Sequence, residues 1–262
     1  MQKITLLCMA LAMSIIACSK GDKNTPEVPT PEDTTTAIDV KTGVYTLLNL
    51  AADTNATSGA AAKTFYYSLE TQRTIPASQV QTSNWDIAFS GTYNSTILIN
   101  NGKAKFSPGY GGPGIGGIYL VKDAAIDAAY YGGAQKAMKA IPPRRLFDSA
   151  FARIKTMPVN DEQLLTNDGI GLDYFGPSTD GWAFYDFYGL QFPSSPADSV
   201  AHVCYSMPRA LIIKTAKGHY VKMVIYSIYK GAPELPTRSY KPGFVTFKYA
   251  IQKDGTRNLD LK

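Results

Sequence analysis

The chain has 262 residues, 45% of them hydrophobic, and a formal net charge of +5 from 26 Lys plus Arg against 21 Asp plus Glu. That length holds one large domain or two small ones. The mild, scattered positive charge excludes a dedicated nucleic-acid binder, and three cysteines exclude a disulfide-built scaffold.

Lys3 is followed by an apolar run over residues 4–17 that is too short to cross a bilayer as a mature helix. Residues 1–17 are expected to be a signal peptide. The run ends in "SIIACSK", where small and aliphatic residues lead into Cys18, the pattern of lipoprotein processing, which would acylate that cysteine. Each buried methylene of an acyl chain contributes roughly 0.8 kcal/mol, so several chains tether a domain firmly to a bilayer without spanning it. "SKGDKNTPEVPTPEDTTT" follows, rich in Pro, Thr and charge and nearly devoid of apolar side chains. Residues 18–36 are expected to form an acylated terminus and a flexible stalk, extended by their prolines.

Residues 37–262 carry no second linker of that kind and are expected to form one domain. Its segments "VYTLLNL", "TFYYSLE", "NWDIAFS", "STILINN", "GIYLV", "GWAFYDFYGL", "RALIIKT", "HYVKMVIYSIYK" and "GFVTFKYAI" are rich in aromatic and β-branched residues between turn signals. They predict an all-β fold. In the strand over residues 219–230, Tyr220, Lys222, Val224, Tyr226 and Ile228 are predicted on one face and Val221, Met223, Ile225, Ser227 and Tyr229 on the other. "DAAIDAAYYGG" predicts a short helix opened by Asp123. After Pro142-Pro143, "RRLFDSAFARIKTMP" predicts another, with Leu146, Phe147, Ala150, Phe151 and Ile154 on one side and Pro158 as the stop.

Signatures of catalysis are mostly lacking. Gly109, Gly111 and Gly114 fit G-x-G-x-x-G, but Pro108 and Pro113 interrupt the strand and helix a phosphate cradle requires, so a mobile loop is expected there. No G-x-S-x-G elbow, no H-E-x-x-H helix and no cysteine pair is present. Cys8 leaves with the signal and Cys18 is acylated. Cys204 in "SVAHVCYSM" is therefore expected to be a buried hydrophobe. His219, just past a Lys-Gly turn, is expected to be exposed, and His202 to sit at the surface or cap a strand. Asp168, Asp173 and Asp180 lack the acid spacing of a calcium loop. The 17 Tyr and 11 Phe cluster in "FYY", "AYY" and "WAFYDFYGL". Tyrosine offers an apolar body and a polar tip, so an exposed cluster suits a porphyrin or a sugar ring.

The unit Asn84-Trp85-Asp86-Ile87-Ala88-Phe89, followed by Ile97-Leu98-Ile99-Asn100-Asn101-Gly102, resembles the HmuY family of haem-binding lipoproteins, in which an N/D-W-D strand precedes one ending in an N-G or N-x-G turn. The resemblance extends to "KTFYYSLE", "GGIYLV", "DAAIDAA", "SMPRALIIKTAKGHYVKMVIYSIYK" and "PGFVTFKYAI", most of the mature chain. It implies two packed antiparallel sheets with long loops and one or two short helices, with Trp85 packing and Asp86 fixing backbone. It also implies haem held between loops by two axial side chains, and transfer of that haem to a TonB-dependent outer-membrane receptor. The protein would be a carrier and not an enzyme, anchored in the outer membrane by its acyl groups alone.

One departure bears on the ligands. Members that bind through two histidines carry one shortly after a G-W strand start. Here Gly181-Trp182-Ala183-Phe184-Tyr185-Asp186-Phe187-Tyr188 has none, and Phe187 stands near that position. No methionine lies between Met157 and Met207, so a methionine pair is not evident there either. The candidate haem ligands are Tyr185, Tyr188, Met157, Met207 and His202, with no metal beyond haem iron. The alternatives are a relative that binds another aromatic or carbohydrate ligand on its tyrosines, or an accessory subunit of a transport receptor.

Overall fold

The computed structural model describes residues 38–57, 62–131, 138–173, 181–189 and 200–262. Cys18, the stalk and Asp180 lie outside the described residues.

The aromatic and β-branched runs pair as antiparallel strands, because each lays one row of apolar side chains toward a common interior. A five-stranded sheet has the order β1 (Gly43–Ala51), β12 (Pro242–Gln252), β11 (Tyr220–Tyr229), β10 (Ala210–Lys214), β6 (Gly117–Val121). A four-stranded sheet has the order β3 (Arg73–Ile75), β2 (Ala62–Ser68), β4 (Ile87–Gly91), β5 (Thr96–Ile99). Between them Tyr67, Phe89 and Ile97 meet Leu211, Val221 and Phe247 in the main core. The expected pair of packed antiparallel sheets is present. A third, three-stranded sheet joins it: β7 (Leu172–Asp173) runs parallel to β8 (Ala183–Asp186), which pairs antiparallel with β9 (Val203–Ser206).

Two α-helices occur among the described residues, α1 (Ala124–Tyr130) and α2 (Arg144–Arg153). Asp123 caps α1 by accepting from the N–H groups of Ala125 and Ile126, which no helical carbonyl can satisfy. α2 stops at Arg153, short of Pro158. It buries Phe147, Ala150 and Phe151 against the outer face of the five-stranded sheet, where Ile212, Val224 and Ala250 complete a second core. This second cover explains why β11 is buried on both faces. Lys222, on the helix side, threads beneath α2 and donates to the Ile154 carbonyl at 2.7 Å with its ammonium 4.4 Å from the centre of the Phe151 ring. The predicted alternation of β11 fails at its end. Register shifts after Ile225 and after Ser227 put Ile228 in the main core beside Tyr229 instead of opposite it.

The Trp-Asp pair performs the roles the resemblance implies. Trp85 is fully buried and donates from Nε1 to the Val80 carbonyl at 2.7 Å. Asp86 accepts from the N–H groups of Leu69, Glu70 and Ala216, joining the β2–β3 turn to the β10–β11 turn. The strand break that follows, at Gly91, is a genuine turn: Gly91, Tyr93 and Asn94 have φ of 70°, 55° and 60°.

Two expectations are corrected. The Gly-rich piece is no loose loop. Its Gly109 and Gly114 pack against the side chain of Asn100, and a Cβ on Gly102 would lie 1.6 Å from the Gly112 carbonyl oxygen. His219 is not simply exposed; its Nδ1 lies 2.8 Å from Oε1 of Glu70, a carboxylate that is itself buried. Both residues sit in turns on the side of the sheets that Asp86 joins. Cys204 is buried as expected, and burial pushes its thiol pKa up, away from reactivity.

Candidate functional site

β8 is buried along its whole length, so after Asp186 the chain leaves the interior abruptly and presents Phe187 and Tyr188, 43% and 55% exposed, to solvent. The chain re-enters through His202, just ahead of β9. The His202 N–H donates to the Asp186 carbonyl at 2.7 Å, which closes the end of the β8–β9 pair. His202 has φ of 59°, a left-handed conformation that costs a non-glycine residue energy and is held only by its surroundings. That backbone turns the imidazole inward, where Nδ1 lies 2.9 Å from the Oη of Tyr185.

Rings surround the pair. The Phe187 ring meets the imidazole edge-on at 4.9 Å and the Tyr188 ring at 4.9 Å, and its centre lies 5.9 Å from that of Tyr185. The β4–β5 turn adds Tyr93, at 6.4 Å from Tyr185 and 6.5 Å from Tyr229. Its left-handed backbone is maintained by the fully buried Asn94. That side chain donates to the carbonyls of Lys63 and Phe89 and accepts from the Asp53 N–H. Trp182 ties the same turn to the start of β8 through a 2.6 Å bond from Nε1 to the Ser95 carbonyl.

Two cavities open on this group. One of about 450 Å³ is lined by Thr92, Ser95, Thr96, Leu172, Tyr185 and Phe187. Another of about 250 Å³ has Tyr93, His202, Tyr229, Arg238 and Tyr240 among its walls. The larger lies within the range of small-molecule sites, apolar with a few polar groups. The β4–β5, β8–β9 and β11–β12 connections and the segment after β1 thus converge at one end of the sheets. The Glu70–His219 contact lies at the other end of β11, whose ten residues separate the two by about 33 Å.

The candidate ligands fare unequally. Tyr185 and His202 are brought together, and Tyr188 stands nearby with its ring edge-on to that of Phe187. Met207 is fully enclosed in the main core, and Met157 belongs to the second core under α2. Asp173 is no calcium ligand: it is buried, bonded to Arg209 at 2.7 Å, and accepts the Gly181 N–H at 2.7 Å. Asp168 is exposed. Among the described residues no group of three or more His, Cys, Asp and Glu side chains is placed to hold a metal ion. No described helix is long and apolar enough to cross a membrane. Tyr93, Tyr229 and Leu172 were not singled out by sequence. The only signal for Tyr93 was the strand break at Ser90-Gly91.

Chemically, a phenol against an imidazole is a base-assisted oxygen donor. With Nδ1 unprotonated, Tyr185 donates, and the imidazole can take the proton as the phenol binds a metal as phenolate. Tyrosine is a known axial ligand of haem iron.

No family model matches the chain, and neither does any curated protein. Among solved structures, the apo HmuY analog of Tannerella forsythia is 14% identical, with the match covering 83% of this chain and 100% of that one at a TM-score of 0.35. Apo PinO from Porphyromonas gingivitis is 11% identical over 82% of this chain and 98% of that one, TM-score 0.32. A protein described as HmuY-like from Bacteroides vulgatus is 13% identical over 78% and 97%, TM-score 0.33. Likeness at this level says nothing about the ligand, which rests on the residues.

Proposed function

We propose that this protein is a lipid-anchored, non-enzymatic carrier that binds haem or a related porphyrin at the loop end of its sheets. It is acylated at Cys18, held at the outer membrane, and passes its ligand to a TonB-dependent receptor. The observation that carries the binding site is the Tyr185–His202 hydrogen bond between two cavities walled by aromatic rings. Flat aromatic walls suit a macrocycle, and a phenol with an adjacent proton acceptor suits ferric iron. The absence of the second histidine near Phe187 makes Tyr185 the axial ligand in this reading, with His202 as its positioning partner. Anchoring by acyl chains and the Pro/Thr-rich stalk agree with a carrier working near a membrane.

A titration of the mature chain with haemin tests this. The expected result is a saturable one-to-one shift of the Soret band that weakens in Tyr185→Phe and survives in Tyr188→Phe. No saturable shift with ferric or ferrous haem sinks the reading. The second reading is a relative that holds a sugar ring on Phe187 and Tyr188, favoured by their exposed, edge-on pair of rings. It gains if haemin fails and an oligosaccharide quenches tyrosine fluorescence.

A further inference from the structure

At the end of the sheets away from Tyr185, the Gly-rich segment over residues 100–116 joins β5 to β6. It is braced from within. The Ser107 hydroxyl donates to the Ile99 carbonyl at 2.7 Å and accepts from the N–H groups of Asn101 and Gly109, and the Gly102 N–H donates to the Gly114 carbonyl at 2.8 Å. On this braced segment Phe106, Tyr110 and Ile115 stand 69%, 52% and 45% exposed. Large apolar side chains fixed in water on one segment mark a surface that an apolar partner covers.

The charge around them has one sign. Residues 100–116 include Lys103 and Lys105 and no carboxylate. Both lysines are exposed, and neither forms an ion pair among the described residues. The Lys105 ammonium lies 5.9 Å from the centre of the Phe106 ring. Asp168 is exposed as well, next in sequence to Asn167, whose side chain accepts the Phe106 N–H at 3.2 Å. It opposes the lysines with a single charge. Aromatic and aliphatic tips beside lysine ammonium groups match the interface of a bilayer, where rings sit at headgroup level and cations meet anionic lipid.

Position selects the bilayer over other partners. The N-terminal side of the domain enters at this same end: the Val40 N–H donates to the Glu70 carbonyl at 2.8 Å, and Asp39 pairs with Lys253 at 2.5 Å. The Ile115 N–H donates to the Ala216 carbonyl at 3.0 Å, and Asp86 gathers the N–H groups of both Glu70 and Ala216. The chain's entry and the Gly-rich segment thus share one hydrogen-bonded corner. Cys18 lies 20 residues ahead of Ile38, a length of chain that reaches at most about 70 Å. The end of the domain that receives the tether is therefore the end brought to the lipid.

We propose that the Gly-rich segment is a second membrane contact, in which Phe106, Tyr110 and Ile115 enter the headgroup layer of an anionic lipid surface and Lys103 and Lys105 pair with its phosphates. The contact rests on the acyl anchoring at Cys18 proposed above, and not on porphyrin binding. It turns the opposite end of the sheets, with Tyr185 and His202, away from the bilayer.

Flotation of the unacylated mature chain at low salt with vesicles of equal phosphatidylglycerol and phosphatidylcholine tests the contact. The chain is expected to float with these vesicles. Phe106→Ser is expected to weaken binding at least fivefold, and the double change Lys103→Glu and Lys105→Glu at least tenfold. Leu235→Ser removes a comparably exposed side chain, 66%, from the β11–β12 connection at the other end and is expected to change nothing. No flotation, binding indifferent to Phe106→Ser or to the charge reversal, or an equal loss in Leu235→Ser overturns the proposal. Self-association without lipid that Phe106→Ser abolishes assigns the surface to a second copy of the chain and overturns it as well. The assay contains neither haemin nor an acyl group, so its failure is separate from a missing Soret shift and from an unmodified Cys18.

Discussion

Tyr185 and His202, separated by the whole β8–β9 connection, meet through a 2.9 Å bond from Oη to Nδ1. His202 can reach inward only because its backbone adopts φ of 59°. A glycine accepts that conformation without the steric penalty of a side chain, about 1–2 kcal/mol. His202→Gly is therefore expected to unfold within about 1 kcal/mol of the parent, since relief of strain offsets the lost hydrogen bond. Its haemin affinity is expected to fall at least tenfold. Parent-like affinity in a folded His202→Gly protein removes the imidazole from the site.

Asp173 links that site to the rest of the sheet, since one of its oxygens holds the Gly181 N–H and the other holds Arg209. Burial raises its pKa, against the lowering effect of Arg209. Asp173→Ala leaves the buried Arg209 guanidinium with Asp127 as its one carboxylate partner among the described residues, a loss of about 3–5 kcal/mol. It also frees the chain entering β8, so ligand affinity should drop with stability. Asp127→Ala, at a partly exposed carboxylate, is expected to cost less than half as much in chemical denaturation.

Asp86 gives a pH signature. It is fully buried, and desolvation, reinforced by the neighbouring Glu70, raises its pKa from 3.8 to about 6 despite the N–H donors around it. Between about pH 4 and pH 6 the folded protein holds a proton there that the unfolded chain has lost. This carboxyl therefore makes folding more favourable on the acid side and less so as pH rises to about 6, by on the order of 3 kcal/mol, with no further change above. Asp39, Asp53 and Asp123, whose pKa values are lowered, act in the opposite direction, so the difference between parent and Asp86→Asn isolates the effect. Urea midpoints from pH 4 to 7 are expected to show the parent losing stability relative to Asp86→Asn as pH rises. A constant difference across that range contradicts the assignment.

The Gly-rich segment is expected to behave as packed structure. Gly102→Ala sets a methyl against the Gly112 carbonyl and should cost about 2 kcal/mol or more. Gly231 has φ of 81° and no neighbour within 4 Å of the place a methyl would occupy, so Gly231→Ala meets only backbone strain, about 1 kcal/mol. Equal thermal shifts in the two variants would contradict this contrast.

Much of the fold was legible because burial leaves a local record. Period-two runs such as the one from Tyr220 to Ile225 declared strands, Asp123 declared a helix start, and Trp85-Asp86 declared a packed, hydrogen-bonded corner. The record failed where the cause was distant. β7 is two residues long and exists only because β8 lies beside it. The bulges of β11 moved Ile228 to the other face in response to β12. His219 looked exposed until Glu70, 149 residues away in sequence, arrived as its partner. The all-β character was fixed by the order of residues alone, since side-chain alternation and turn chemistry act over a few positions. Which tyrosine meets a histidine was decided by the packing of separate strands and loops, whose contacts no single stretch of chain encodes.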